Sequence, residues 1–211
     1  MSEAKKLKDY LTQLLADNRH KYPEFLDWVE NTTQTTVWGM GVMSAYSTGP
    51  YACELQGSKP GRFLKKPSEP GDNRQCYFLD SNGKIICELK YAKYLPKKGR
   101  WIVYRSFFLH KDEQIIEYSF DSELDGSREA DLICVTLTSL ADEHVVSRHS
   151  LYTQGQYIET TYGLLHEEIR SITQKIWTDI YIQREYEVVD HDKHPTIYEL
   201  VDSKKIKIYP E

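Results

Sequence analysis

The sequence predicts an α+β protein in which N-terminal helices precede a large antiparallel β meander, either a rolled sheet or barrel-like. Three observations support this fold class. Residues 1–31 carry apolar side chains at helical spacing, Asn82-Gly83 marks a hairpin, and residues 76–211 alternate apolar segments with short polar turns. Because short turns join strands that are neighbours in a sheet, the consecutive hairpins favour a meander. We expect residues 1–211 to form a single domain.

The N-terminal part of the chain carries two helical patterns. Leu7 and Leu11 recur at helical spacing, and Pro23 suits the first turn of a second helix. Residues 49–75 are rich in Gly and Pro, which predicts a long loop before the sheet.

Two segments are ambiguous in the sequence. Thr and Val in "TTQTTVWGMG" favour a strand, whereas Gly39 and Gly41 oppose one and suit close packing or a bend. The segment "LLHEEIRSITQKI" fits a helix, and the segment that follows it fits a strand.

The stretch "LDSNGKIICELKY" carries the clearest hairpin signal. Asn82-Gly83 fits a two-residue type I′ turn, in which both central residues need a positive φ. A strand alternates its side chains between the two faces of a sheet, so this turn predicts the register of the hairpin. The predicted register pairs apolar residues across the two strands: Phe78 with Cys87, and Cys76 with Leu89.

Charge is distributed unevenly along a chain whose net charge is −5. Residues 59–105 carry twelve Lys or Arg and four Asp or Glu, whereas residues 111–131 carry two and eight. The basic residues are interleaved with Tyr91, Tyr94 and Trp101, a pattern that could bind single-stranded nucleic acid. The pI near 5.8 argues against nucleic acid as the partner, because nucleic-acid-binding domains are usually basic.

Location and cofactor use are predicted from absent signals. No segment approaches the roughly 20 apolar residues of a membrane span, and the charged N-terminus lacks the apolar core of a signal peptide. We therefore expect a cytoplasmic protein with no membrane partner. The four cysteines form no C-x-x-C pair, which argues against structural zinc and against a disulfide scaffold. No cofactor and no metal are indicated.

Histidines are the remaining candidates for catalysis, because neither G-x-S-x-G nor a Walker pattern occurs. His191 and His194 lie beside aspartates, and His144 and His149 are five residues apart. These residue types bind transition metals, so a His-dependent enzyme is one alternative. On a strand, residues five apart face opposite sides, so His144 and His149 would share a site only through a bulge or a helix.

Several strand segments are apolar on both faces, as in "WIVYRSFFL", and need cover on both sides. About eight such strands can enclose one ligand. A lipocalin-like barrel that binds a small hydrophobic ligand is therefore a second alternative.

The segment "HSLYTQGQYIETTYG" is the densest polar and aromatic cluster of the chain. Tyrosine supplies a large contact area with a polar end and is enriched at interfaces. We therefore predict a recognition surface there, formed by Tyr152, Tyr157, Glu159 and Tyr162.

An acidic α+β chain with a "DSNGKI" hairpin and no catalytic motif resembles the immunity proteins of bacterial toxin systems. The resemblance lies in the general style of residues 76–211. It implies a non-enzymatic protein that binds and neutralises a cognate toxin, and such toxins are often basic nucleases. An acidic surface would complement a basic toxin domain. The predicted interface is the acidic run Asp112, Glu113, Glu117, Asp121, Glu123, Asp125, Glu129 and Asp131.

Overall fold

Two helices and one antiparallel sheet make up the fold, seen in a computed structural model that describes residues 3–189 and 195–210. The helices are α1 Glu3–Asn18 and α2 Tyr22–Thr32. The thirteen strands found in the described residues are β1 Thr35–Met40, β2 Arg62–Phe63, β3 Arg74–Leu79, β4 Ile85–Leu95, β5 Arg100–Lys111, β6 Gln114–Leu124, β7 Leu132–Ala141, β8 His144–Tyr152, β9 Tyr157–Leu165, β10 Glu168–Trp177, β11 Tyr181–Val189, β12 Thr196–Val201 and β13 Lys204–Tyr209.

The sheet is a meander from β3 to β13, in which each strand pairs with the next one in sequence. β1 pairs with β3, and the two-residue β2 pairs with the outer side of β1. The prediction of helices followed by an antiparallel meander is therefore confirmed. Within the part of the chain that the structure describes, the sheet ends at β13 and β2 and is not closed, which corrects the barrel-like form of the prediction.

The ambiguous segments of the sequence are strands. Residues 168–177 form β10, paired with β9 and β11, so the helical interpretation of this region is wrong. β1 belongs to the sheet despite Gly39, because this glycine leaves room for its neighbours. A Cβ atom at Gly39 would come within 2.9 Å of the Tyr77 ring.

The hairpin between β3 and β4 has the predicted register as far as Phe78, where a bulge shifts Leu79 opposite Ile85, and its turn differs from the prediction. Cys76 pairs with Leu89, and Phe78 with Cys87, as expected. The turn begins at Asp80, whose carboxylate accepts hydrogen bonds from the backbone N–H groups of Asn82 and Lys84, both at 2.9 Å. Gly83 has a positive φ of 75°, and Asn82 does not. Asp at the first position and Gly at the fourth suit a type I turn, so the type I′ prediction is wrong.

The helices cover one face of the sheet, called here the helix face. α2 begins with Pro23 in its first turn and buries Tyr22, Phe25, Leu26 and Val29. Phe25 stacks on Phe107 of β5, with 5.0 Å between the ring centroids. The main core cluster therefore lies between the helices and strands β4 to β9. Neither described helix is long and apolar enough to cross a membrane.

The chain between β1 and β2, residues 41–61, crosses the opposite face of the sheet. This segment is called here the strap, and the face it covers the strap face. Its Tyr51 and Leu55 pack against a second cluster that includes Ile197 and Tyr209, next to the far edge of the sheet.

The reach of the strap implies that the sheet is curved. β1 and β13 are eleven strand spacings apart, about 53 Å in a flat sheet at about 4.8 Å per spacing. The fourteen residues from Met40 to Glu54 span at most about 49 Å when fully extended. The strap contains turns and a short 3-10 helix, Glu54–Gln56, and still contacts β13. The sheet therefore curves around the strap.

Candidate functional site

Polar side chains form a row across the strap face of the sheet. Strand register aligns Tyr77, Glu88, Ser106, Ser119 and Cys134, because each is the partner of the next across β3, β4, β5, β6 and β7. Ser106 and Ser119 lie 3.1 Å apart between their Oγ atoms. Polar side chains on a covered face of a sheet need hydrogen-bond partners, either from the protein or from solvent. The strap supplies some of these partners and leaves space beside the row.

A cleft of about 460 Å³ lies between the strap and this polar row. Its walls combine charged groups, hydroxyl groups and aromatic rings. From the sheet the lining residues include Glu88, Lys90, Tyr104, Ser106, Phe108, Glu117, Ser119, Arg148 and Tyr152, and from the strap Met43, Ser44, Tyr46, Ser47, Ala52, Cys53 and Gln56.

Glu117 of β6 is the centre of a hydrogen-bond network in the cleft. Its Oε1 accepts a hydrogen bond from Ser119 Oγ at 3.1 Å. Its Oε2 accepts from Thr48 Oγ1 of the strap at 3.2 Å and pairs with Arg148 Nη2 at 3.4 Å. Glu117 thus joins the strap to the sheet and holds the Arg148 guanidinium in the cleft wall.

Glu88 of β4 is a second carboxyl group in the cleft, and it is buried. Tyr77 Oη donates a hydrogen bond to its Oε1 at 2.9 Å, and the same hydroxyl accepts from the N–H of Ala45 in the strap at 2.8 Å. Burial raises the pKa of Glu88, against the hydrogen bonds from Ser44 and Tyr77 and the charge of Lys90. Burial disfavours the charged form of a carboxyl group, so Glu88 holds its proton more strongly than an exposed glutamate.

We expect Glu88→Gln to stabilise the fold at alkaline pH. The folded state binds the Glu88 proton more tightly than the unfolded state, so wild-type stability falls as the pH rises above the unfolded pKa. Gln keeps an acceptor for Tyr77 and carries no charge. The expected gain at pH 8 is about 1 kcal/mol, or about 2–4 °C in Tm for a chain of this size.

Thermal melts of both proteins at pH 5 and pH 8 check this expectation, since the gain should be smaller at pH 5. Glu113→Gln in the exposed β5–β6 turn is the control, and its effect should be small at both values. An equal gain at pH 5 and pH 8, or a loss at pH 8, would contradict a proton-binding Glu88.

The residues of the predicted acidic interface are spread over several places in the structure. Asp112 and Glu113 are exposed in the β5–β6 turn, and Asp121 is exposed near the α1–α2 turn. Glu117 lies in the cleft, whereas Glu123 is buried on the helix face beside Arg105.

The rest of the acidic run lies near the β6–β7 connection. Asp125 is half-buried, and its backbone carbonyl accepts a hydrogen bond from Arg100 Nε at 2.7 Å. Glu129 and Asp131 are exposed. The binding of a basic toxin domain stays a prediction, which co-purification from the native source followed by titration at low and high salt would check.

The predicted aromatic surface divides in the same way. Tyr152 lines the cleft, while Tyr157 is buried on the helix face, where its hydroxyl lies 2.9 Å from His149 Nδ1. Tyr162 is buried in the second core cluster, and Glu159 forms an ion pair with Lys175 at 2.9 Å. Of the twelve predicted site residues, Glu117 and Tyr152 lie together in the cleft.

The candidate histidines are not brought into one site where the structure describes them. His149 is buried next to Tyr157, and His144 lines a separate cleft with Pro50 and Glu168. His191 and His194 lie outside the described residues. Within the described residues no group of three His, Cys, Asp or Glu side chains could hold a metal ion.

All four cysteines are free and buried. Burial raises the pKa of Cys76 to about 11 and that of Cys87 to about 12. Burial and the charge of Glu54 raise the pKa of Cys53, which lines the cleft. These thiols are therefore held in the protonated form, which is a poor nucleophile.

Sequence reasoning missed most of the cleft. Glu88 is a lone carboxyl group within the apolar segment "IICELKY", and Arg148 is a lone cation within "VVSRHSL". A charged residue among strand-forming apolar residues indicates a buried polar site. An unpaired buried charge is costly, so such a residue needs polar partners nearby. Ser106, Ser119 and the strap residues carry no such signal.

No protein-family model, curated protein or solved structure matches this chain.

Proposed function

We propose that this protein is a non-enzymatic binding protein that takes a small polar molecule into the cleft between the strap and the sheet. The observation that carries this proposal is the cleft itself, about 460 Å³ with mixed polar and aromatic walls. Small-molecule sites in proteins have volumes of about 300–1,000 Å³ and place a few polar groups among aromatic side chains.

The chemistry of the lining residues supports binding rather than covalent catalysis. The Cys53 thiol has a raised pKa, and the hydrogen bonds of Glu117 to Ser119 and Thr48 fix its carboxylate to the strap and the sheet. Such fixed groups are suited to orienting a ligand. The polar row also distinguishes this proposal from a barrel that encloses a hydrophobic ligand.

A thermal-shift screen of a library of polar metabolites, with isothermal titration of the hits, tests the proposal. We expect at least one hit, and Ser106→Phe should weaken its binding by about tenfold or more, because the new ring occupies the cleft floor. Ala52→Phe, which fills the cleft from the strap side, should weaken the binding of the same ligand.

Thr173→Phe on the helix face of β10 is the matched control, since this position is half-buried and does not line the cleft. It should leave the affinity unchanged. Hits that bind both cleft-filling variants as tightly as the wild type would overturn the cleft as the binding site.

A further inference from the structure

One cation of the cleft, Lys90, forms no ion pair with a carboxylate among the described residues. Lys90 and Arg148 bring two positive charges to its walls. Glu117 pairs with Arg148, whereas the buried Glu88 carboxyl group accepts a hydrogen bond from Tyr77 and forms no ion pair with Lys90. Arg105 adds nothing to this balance, because it pairs with Glu123 on the helix face.

The donors of the two cations are only partly used by the protein. Arg148 directs Nη2 to Glu117, and its Nε has no hydrogen-bond partner among the described residues. Lys90 Nζ donates to the carbonyl of Val42 in the strap at 2.5 Å, a neutral acceptor. An ammonium group has three donors and favours a charged acceptor, so Lys90 can bind a further anionic oxygen.

Aromatic side chains line the same cleft. Tyr46 of the strap meets Phe108 of β5 edge to face, with 5.1 Å between the ring centroids. Tyr104 is 43% exposed and lines the cleft with Tyr152. Rings arranged in this way favour a planar guest, because aromatic pairs gain from offset and edge-to-face contacts.

We propose that the ligand of the cleft is a small aromatic carboxylate whose anionic group is bound by Lys90 and Arg148 and whose ring packs among Tyr46, Tyr104 and Phe108. This inference rests on the proposed function and specifies its ligand class. The carboxylate gives Lys90 a charged acceptor in addition to the Val42 carbonyl, and Ser106 and Ser119 supply hydrogen bonds to a polar substituent on the ring.

Titration with three probes of equal size tests the ligand class: 4-hydroxybenzoate, 4-hydroxybenzamide and 4-hydroxybenzylamine. We expect the carboxylate to bind about tenfold more tightly than the neutral amide, because charge-assisted hydrogen bonds are about twice as strong as neutral ones. The cationic amine should bind most weakly. Lys90→Met should remove most of the preference for the acid, and Lys90→Arg should retain it.

Lys93→Met is the matched control, since Lys93 is an exposed lysine of the same strand that does not line the cleft. It should leave the acid-to-amide ratio unchanged. Equal binding of acid and amide, both lost in Ser106→Phe, would overturn the anionic ligand while supporting the cleft. Tighter binding of the amine than of the acid, or no binding of the acid, would also overturn the ligand class. Whether the cleft binds any small molecule is tested separately by the metabolite screen.

Discussion

Replacement of Arg105 by Met is expected to lower the free energy of unfolding by about 3–5 kcal/mol, the usual cost of removing one partner of a buried ion pair. Arg105 Nε lies 3.0 Å from Tyr22 Oη and 3.4 Å from Glu123 Oε1. The side chains of Arg105 and Glu123 are only 10% and 1% exposed. Without Arg105, Glu123 loses its counter-charge in a place that water does not reach.

Arg105 also connects the helices to the sheet. Tyr22, at the start of α2, donates its hydroxyl hydrogen to Glu123 of β6 and accepts a hydrogen bond from Arg105 of β5. Glu123 Oε2 has no hydrogen-bond partner among the described residues. The loss of Arg105 therefore weakens the contact between α2 and the sheet in addition to the pair itself.

Urea denaturation of three variants measures this effect. Arg105→Met should be strongly destabilised, whereas the double variant Arg105→Met with Glu123→Leu should recover much of the loss, because no unpaired charge is left. Arg128→Met is the control at an exposed pair with Asp27 and should change stability by less than about 1 kcal/mol. A loss below 1 kcal/mol in Arg105→Met would show that the pair is unimportant.

Replacement of Phe107 by Ala is expected to cost about 3–5 kcal/mol, as for other large side chains removed from a core. Phe107 is fully buried in the main core cluster of the helix face. Its ring centroid lies 5.0 Å from that of Phe25 and 5.6 Å from that of Phe120. The substitution removes contacts on both sides of the interface between α2 and the sheet, and the rigid strands cannot collapse to fill the cavity.

Urea denaturation of Phe107→Ala, combined with hydrogen exchange of the α2 amides, measures the loss of stability and its effect on α2. We expect the α2 amides to lose more protection than those of β10 and β11, which lie away from Phe107. Tyr10→Ala is the control, because Tyr10 is 42% exposed on α1, and it should change stability by about 0.5 kcal/mol or less. A Phe107→Ala variant with near wild-type stability would contradict the assigned core.

The parts of the fold that sequence predicts best are those set by local patterns. The apolar spacing of α1 and α2 and the alternating strands from β3 onward depend on neighbouring residues, so they are visible in the sequence. The β3–β4 register is confirmed as far as Phe78, because a one-residue slip would move the apolar side chains to the other face of the sheet. The turn type is decided instead by the Asp80 carboxylate, which competes for backbone N–H groups.

The cleft could not be predicted because its parts come from distant segments. Glu88, Ser106 and Ser119 become neighbours only through strand register, and Tyr46 reaches them only because the strap crosses the sheet. The acidic run illustrates the same limit. Glu117 and Glu123 are close in sequence, yet a bulge and strand alternation place them on opposite faces, so their charges do not add to one surface.

The path of the strap has a consequence for the order of folding. Each hairpin of the meander closes a short loop, whereas the strap must meet residues such as Tyr162 and Tyr209 that are synthesised much later. Contacts of such large sequence separation form slowly, because the entropy of closing a long loop is lost before they are gained. The hairpins would therefore assemble first, and docking of residues 41–61 would be the last step to native structure.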